Sequence, residues 1–171
     1  MAELAVTAIG ADRPGIVARV SGVLLEHGGN LEDASMTILR GHFAIMLLVT
    51  TDADPAALEA ALADATADLD LVVTVRPVGE GADSPPPTHV VSVYGSDRPG
   101  IVHGVATVLA EHDVNVSDLT TRLIEGEHPV YAMMLEAAVP DAVDPDRLAE
   151  AVATRVDDVE VTIHPLEAET F

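Results

Sequence analysis

One hexapeptide occurs twice in this chain. Asp12-Arg13-Pro14-Gly15-Ile16-Val17 returns as Asp97-Arg98-Pro99-Gly100-Ile101-Val102, an offset of 85 residues in a chain of 171. The same offset pairs Val20 with Val105, Leu24 with Leu109, Glu26-His27 with Glu111-His112, Asn30 with Asn115 and Asp33 with Asp118. Between residues 12 and 37, 13 of 26 positions are identical. After Gly41 and Gly126 the second copy gains three residues, so that Phe43-Ala44 aligns with Tyr131-Ala132. A long period present only twice points to two similar domains rather than a solenoid.

Each copy reads as the same succession of elements. Residues 3–9 alternate and end at a turn, which predicts a first strand, and 89–94 are its counterpart. A helix follows with Pro14 in its first turn, burying Ile16, Val17, Val20, Leu24 and His27 at helical spacing, and Gly28-Gly29 ends it. Residues 31–40 and 43–51 predict a hairpin around Gly41, its second strand nearly all apolar and therefore central. Asp54-Pro55 caps a second helix whose buried side is marked by Leu58, Leu62 and Leu69, and a last strand covers 71–76. In the second copy Leu148 and Val152 mark the second helix, and Val159, Val161 and Ile163 the last strand. The order β-α-β-β-α-β describes a four-stranded antiparallel sheet with both helices on one face. The modules are expected at 1–78 and 88–171. Between them 79–87, with its Ser84-Pro85-Pro86-Pro87 run, is a semi-rigid linker of about 3 Å per residue. The uncovered sheet faces and edges are expected to associate, edge to edge or face to face, with dimerisation of the whole chain open as well.

Composition narrows the function classes. Hydrophobic residues are 49% of the chain and fall in short periodic runs, which a folded core explains. The longest apolar run, Phe43 to Val49, is far below the roughly 18 residues a spanning helix needs, and the start lacks a basic n-region. A cytoplasmic protein without a membrane segment is expected. Twenty-nine acidic residues against eight cations, all arginine, give a formal charge of −21, which opposes nucleic-acid backbones. The absence of cysteine removes disulfides, thiolate nucleophiles and cysteine metal sites.

The Asp-Arg-Pro-Gly turn lies where a strand ends and a helix begins, so backbone N–H groups and the positive helix end converge there. Such a point can hold a carboxylate. Gly15 and Gly100 let a ligand approach the backbone, and the amides of Asn30 and Asn115 can donate to a carboxylate or accept from an ammonium. Asp12 and Asp97 can pair with that ammonium. Asp12 is also placed to cap the helix and Asn30 to occupy a turn, so both roles stay open.

With these residues the chain resembles the ACT-domain family, and within it the tandem arrangement of the glycine cleavage system transcriptional repressor group. The resemblance rests on Asp12 to Val17 with Glu26-His27-Gly28-Gly29-Asn30, and on Asp97 to Val102 with Glu111-His112-Asp113-Val114-Asn115. It implies an α+β fold of two ferredoxin-like βαββαβ modules and a regulatory function, an amino acid binding at the interface between paired modules. By position, Asp12, Gly15, Asn30, Asp97, Gly100 and Asn115 would line such sites. The family's sites can carry a histidine two residues before Asp12, where this chain has Gly10 and Gly95.

Catalytic motifs are missing. The seven histidines lack metal-ligand spacing, and His27 and His112 suit helix ends, where a positive charge is favourable. There is no nucleophile elbow and no phosphate loop. Asp52-Ala53-Asp54 resembles a phosphatase motif, but Ala56 stands where it needs threonine, and Asp54 is explained as a cap. The resemblance also implies that similar modules can precede a catalytic domain, and none is expected here after Phe171. The expectation is a non-enzyme without cofactor or metal, which signals through another protein, a regulator or an enzyme, and not through direct DNA contact. The alternative is a constitutive interaction subunit of a separately encoded enzyme, its ligand sites vestigial.

Overall fold

The computed structural model describes residues 2–79, 84–127 and 129–166. Its backbone separates into two compact units, Met1–Ala82 and Asp83–Phe171. Of the linker expected at 79–87, residues 80–83 lie outside the described residues. The first unit runs β1 (Ala2–Ala11), α1 (Ile16–Glu26), β2 (Asn30–Leu39), β3 (His42–Thr51), α2 (Pro55–Ala65), a 3-10 turn (Ala67–Leu69) and β4 (Val72–Pro77). The second runs β5 (His89–Ser96), α3 (Ile101–Glu111), β6 (Asn115–Ile124), β7 (Val130–Ala138), α4 (Pro145–Arg155) and β8 (Val159–Pro165). The sheets have the orders β2-β3-β1-β4 and β6-β7-β5-β8, and every pairing is antiparallel. These are two α+β modules of the expected βαββαβ form.

Alternation along the central strands makes the core. Leu4, Val6 and Ala8 of β1 and Phe43, Ile45, Leu47 and Val49 of β3 point one way and meet Ile16, Val20, Val23 and Leu24 of α1 with Leu58 and Leu62 of α2. Ile9 and Met46, at the intervening positions, stay exposed on the helix-free face. The second module repeats this with Val91 and Val93, Met133 and Leu135, Val105, Val108 and Leu109, and Leu148 and Val152.

Three details differ from the sequence reading. Pro14 sits in a turn ahead of α1, because Gly15 takes a left-handed conformation at φ 91° and starts the helix itself. Val17 is 48% exposed and Val23 is buried in its place; the core stripe of α1 is centred on 16, 20, 23 and 24, and Val17 falls on the flank toward the edge strand. Leu69 is buried from the 3-10 turn rather than from α2, since α2 ends at Thr66, whose hydroxyl donates to the Leu62 carbonyl at 2.8 Å.

Both β-hairpins leave their edge strand exposed. The first turns through Arg40 and Gly41, both at positive φ (50° and 82°), as a tight two-residue hairpin requires. In each module the register of the edge strand slips once, between Leu31 and Asp33 in β2 and between Val116 and Asp118 in β6. Every residue of β2 and of β6 is exposed.

Candidate functional site

The Asp-Arg-Pro-Gly turn is built the same way twice. Past the end of β1 the Asp12 N–H donates to the Gly41 carbonyl at 2.8 Å, and the chain then turns into α1. Gly15 at φ 91° and Gly100 at φ 95° are the N-caps, and neither α1 nor α3 has a side-chain cap. Asp12 and Asp97 therefore do not cap these helices. A Cβ built on Gly15 or Gly100 meets nothing within 4 Å, so the glycines are there for their backbone angle and the space before them is open. The first-turn N–H groups thus face outward at the positive end of an 11-residue helix, an arrangement suited to an anion.

The arginine of the motif has a structural task the sequence did not disclose. Arg13 donates to the Asp68 carbonyl at 3.4 Å, and Arg98 donates to the Asp157 carbonyl. Each guanidinium clips its turn to the loop behind the second helix of its own module. Arg19 adds an ion pair with Asp68 and a bond to the Ala65 carbonyl at 3.2 Å. Gly10 and Gly95 are fixed by crowding: a Cβ on Gly10 would stand 2.9 Å from the Asp70 carbonyl oxygen, and one on Gly95 2.6 Å from that of Asp158. No side chain, and so no histidine, fits at either position without moving the backbone.

Within one module the expected site residues do not meet. Asp12 and Gly15 share the turn, next to the pair Ala11 and His42, whereas Asn30 is paired with Thr50, eight residues along β3. At 3.4 Å per residue this separates the two ends by about 27 Å. Asn115 and the Asp97–Gly100 turn are separated in the same manner, Asn115 opposite Ala138 and Ser96 opposite Val130. The Asn30 amide donates to Glu32 Oε1 at 2.8 Å.

His27 and His112 act through a hydrogen bond. Each ring places Nδ1 2.8 Å from a carbonyl of the last helical turn, Val23 and Val108 respectively, which makes Nδ1–H the donor. Among the described residues no group of three or more His, Cys, Asp or Glu is placed to hold a metal ion, and no helix is long and apolar enough to cross a membrane.

Between α1 and the edge strand β2 runs an apolar groove of about 380 Å³, lined by Val17, Leu24, Leu25, Leu31, Met36 and Leu47 among others. Val17, Leu25, Leu31 and Met36 are all exposed there. The groove follows the free edge of β2, so hydrogen-bonding backbone and apolar side chains lie along one flank.

Family models decide the classification. ACT-domain models match residues 3–76 and residues 89–157. The chain belongs to the ACT-domain family. It carries two ACT modules in tandem. A glycine cleavage system transcriptional repressor of Escherichia coli is 28% identical over 153 residues, 86% of this chain and 80% of that protein. A UPF0237 protein of Methanopyrus kandleri is 59% identical over 49 residues; the match takes in 29% of this chain and about half, 54%, of that protein's length. Among solved structures, an unknown protein from Galdieria sulphuraria superposes with a TM-score of 0.80 at 25% identity, covering 96% of this chain and 98% of its own.

Proposed function

We propose that this tandem ACT protein is a non-catalytic regulator that binds an amino acid where ACT modules pair, and that ligand binding changes its contacts with another protein. The observation that carries the reading is that each module places its uncapped helix start and its strand-start asparagine at opposite ends of the same hairpin. The uncapped helix start at Gly15 or Gly100 suits a carboxylate; the amide of Asn30 or Asn115 suits the other charged end. A second ACT module added antiparallel along the free β2 edge, over the apolar groove, would bring the helix start of one module to the Asn end of the other. An interface in this position would close over the ligand and bury Val17, Leu25 and Met36. A transcriptional repressor among the relatives supports a regulatory role. The charge of −21 opposes direct contact with DNA, so the partner in such regulation is a protein.

The second reading, a constitutive interaction subunit with vestigial sites, is favoured by one observation. Gly10 and Gly95 exclude the histidine that sites of this family can carry. A thermal-shift screen of the twenty amino acids separates the two. A ligand at 100 times its dissociation constant stabilises a protein by about 2.7 kcal/mol. A regulator shows such a shift with at least one amino acid. No shift at several millimolar of any of them leaves the constitutive subunit.

A further inference from the structure

The Asn ends of the two modules both carry carboxylates. Glu32 Oε1 accepts from Asn30 Nδ2 at 2.8 Å and from Thr50 Oγ1 at 2.9 Å, and beside Asn115 the register sets Asp118 opposite Glu136. The helix starts differ more. At the start of α3 lies a hollow of about 470 Å³, lined by Asp97, Gly100, His103 and Tyr131 among others. Tyr131 stands where the first module has Phe43, a side chain 2% exposed and wholly taken up by the core. The Tyr131 ring packs against the second core in the same place, but it carries a hydroxyl. That hydroxyl makes no hydrogen bond among the described residues, and none of their side-chain polar atoms is buried without a partner, so it is open to the hollow. His103, third residue of α3, stands where the first module has Ala18, and its ring is likewise unbonded among the described residues. Gly104 follows in the place of Arg19. Arg19 closes the first module's helix start by reaching across to Asp68 and the Ala65 carbonyl. Nothing extends from Gly104, and a second hollow of about 290 Å³ runs on from Arg98 and His103 along α3 to Thr107 and Arg155.

We infer that the second module reads the side chain of the bound amino acid, and that this side chain is a hydrogen-bonding one: a hydroxyl, an amide or a carboxylate. The inference rests on the amino-acid reading above and names the helix start that discriminates. The first-turn N–H groups after Gly100 take the ligand's carboxylate, and Tyr131 Oη donates to it as well, a bond that the negative charge strengthens. His103 faces the ligand's side chain from the next position along the hollow, and an imidazole can donate or accept there. An apolar side chain against His103 would take the ring out of water and give it no partner, which costs more than the bond itself is worth. At the Gly15 start Phe43 and Ala18 offer no side-chain donor or acceptor, so the same backbone arrangement holds a carboxylate without telling one amino acid from another.

The test is titration calorimetry on the full chain with the twenty amino acids. The tightest binder is expected to have a polar side chain and to bind more strongly than alanine. His103→Ala should weaken that ligand on the order of 10-fold and leave alanine unchanged, so that the preference is lost. Tyr131→Phe should weaken the polar ligand and alanine alike, also on the order of 10-fold, because both present the same carboxylate. Phenylalanine already fills this place in the first module, and Ala18→Ser at the other helix start should change nothing; melting curves check that all three variants are folded. An apolar amino acid as the tightest binder overturns the inference. So does a His103→Ala protein that keeps the preference or loses affinity equally for both ligands, and so does a Tyr131→Phe protein that binds like the parent. A parent that binds no amino acid refutes the amino-acid reading and this inference together, whereas binding that is indifferent to His103 and Tyr131 refutes only the inference.

Discussion

Glycine stands at 15 and 100 for its backbone angle and at 10 and 95 for want of room, and the two causes predict different costs. Gly15→Ala places a Cβ in the left-handed region with free space around it, so the loss should be about 1 kcal/mol. Gly95→Ala drives a Cβ against the Asp158 carbonyl and should cost about 1–3 kcal/mol. Urea unfolding of the two variants checks the order; a Gly95→Ala protein as stable as the parent would mean that the loop of Asp158 yields freely. Asn30 calls for a separate measurement. If its amide helps hold the ligand, Asn30→Ala lowers affinity by about 10- to 150-fold, the worth of one or two hydrogen bonds to a charged group. Its side chain is exposed and, among the described residues, bonded only to Glu32, so the melting temperature of the unliganded protein should hardly move. A variant that loses stability and binding together would make Asn30 a structural residue.

At the scale of elements, the second helix of each module is closed by an aspartate and the first is not. Asp54 accepts from the Ala57 N–H at 3.0 Å, and Asp144 accepts from those of Asp146 and Arg147 at 2.9 and 3.3 Å. Asp144→Ala should therefore cost about 1 kcal/mol in a urea titration, while Asp12→Ala, which removes no cap, should cost a few tenths at most. Equal losses would show that Asp12 supports the turn in some other way. The cap at Asp54 was legible because aspartate before proline has a local cause. So were the hairpin at Gly41 and the central place of β3, which follow from turn chemistry and an apolar run. The start of α1 was misplaced by two residues, since a proline suits both a first helical turn and the bend before a glycine cap. Val17 was misread because periodicity gives the direction of a face and not whether another element covers it. The meeting of Glu32 with Asn30 and Thr50 was hidden for a similar reason: it depends on a register slip and on a pairing across 18 residues, neither of which leaves a pattern in the sequence.

For the whole molecule, two properties combine: a flank that invites association and a charge that resists crowding. Met36 and Leu25 are apolar and exposed beside an unpaired strand edge, so Met36→Glu with Leu25→Glu should abolish any self-association seen by sedimentation at tens of micromolar, about the range where such contacts form. A dimer that survives both substitutions would move the pairing surface elsewhere. The duplication was legible from sequence; this flank was not, because an exposed apolar stripe looks the same on paper as a buried one. The charge works on the fold itself. Twenty-nine acidic groups against eight arginines leave −21 on a chain with two ion pairs between side chains among the described residues, Arg19 with Asp68 and Arg155 with Glu111. Most of the acidic surface is thus repelling itself, and compaction brings those charges closer than the unfolded chain does. Salt shortens the reach of that repulsion from about 10 Å at 0.1 M to about 3 Å at 1 M. The melting temperature should accordingly rise between those concentrations of sodium chloride, and rise alike in potassium chloride, because screening depends on ionic strength and not on the identity of the cation. A rise with one cation alone would reveal a specific ion site. A flat or falling melting temperature would show that the acidic surface is spaced widely enough to cost the fold nothing.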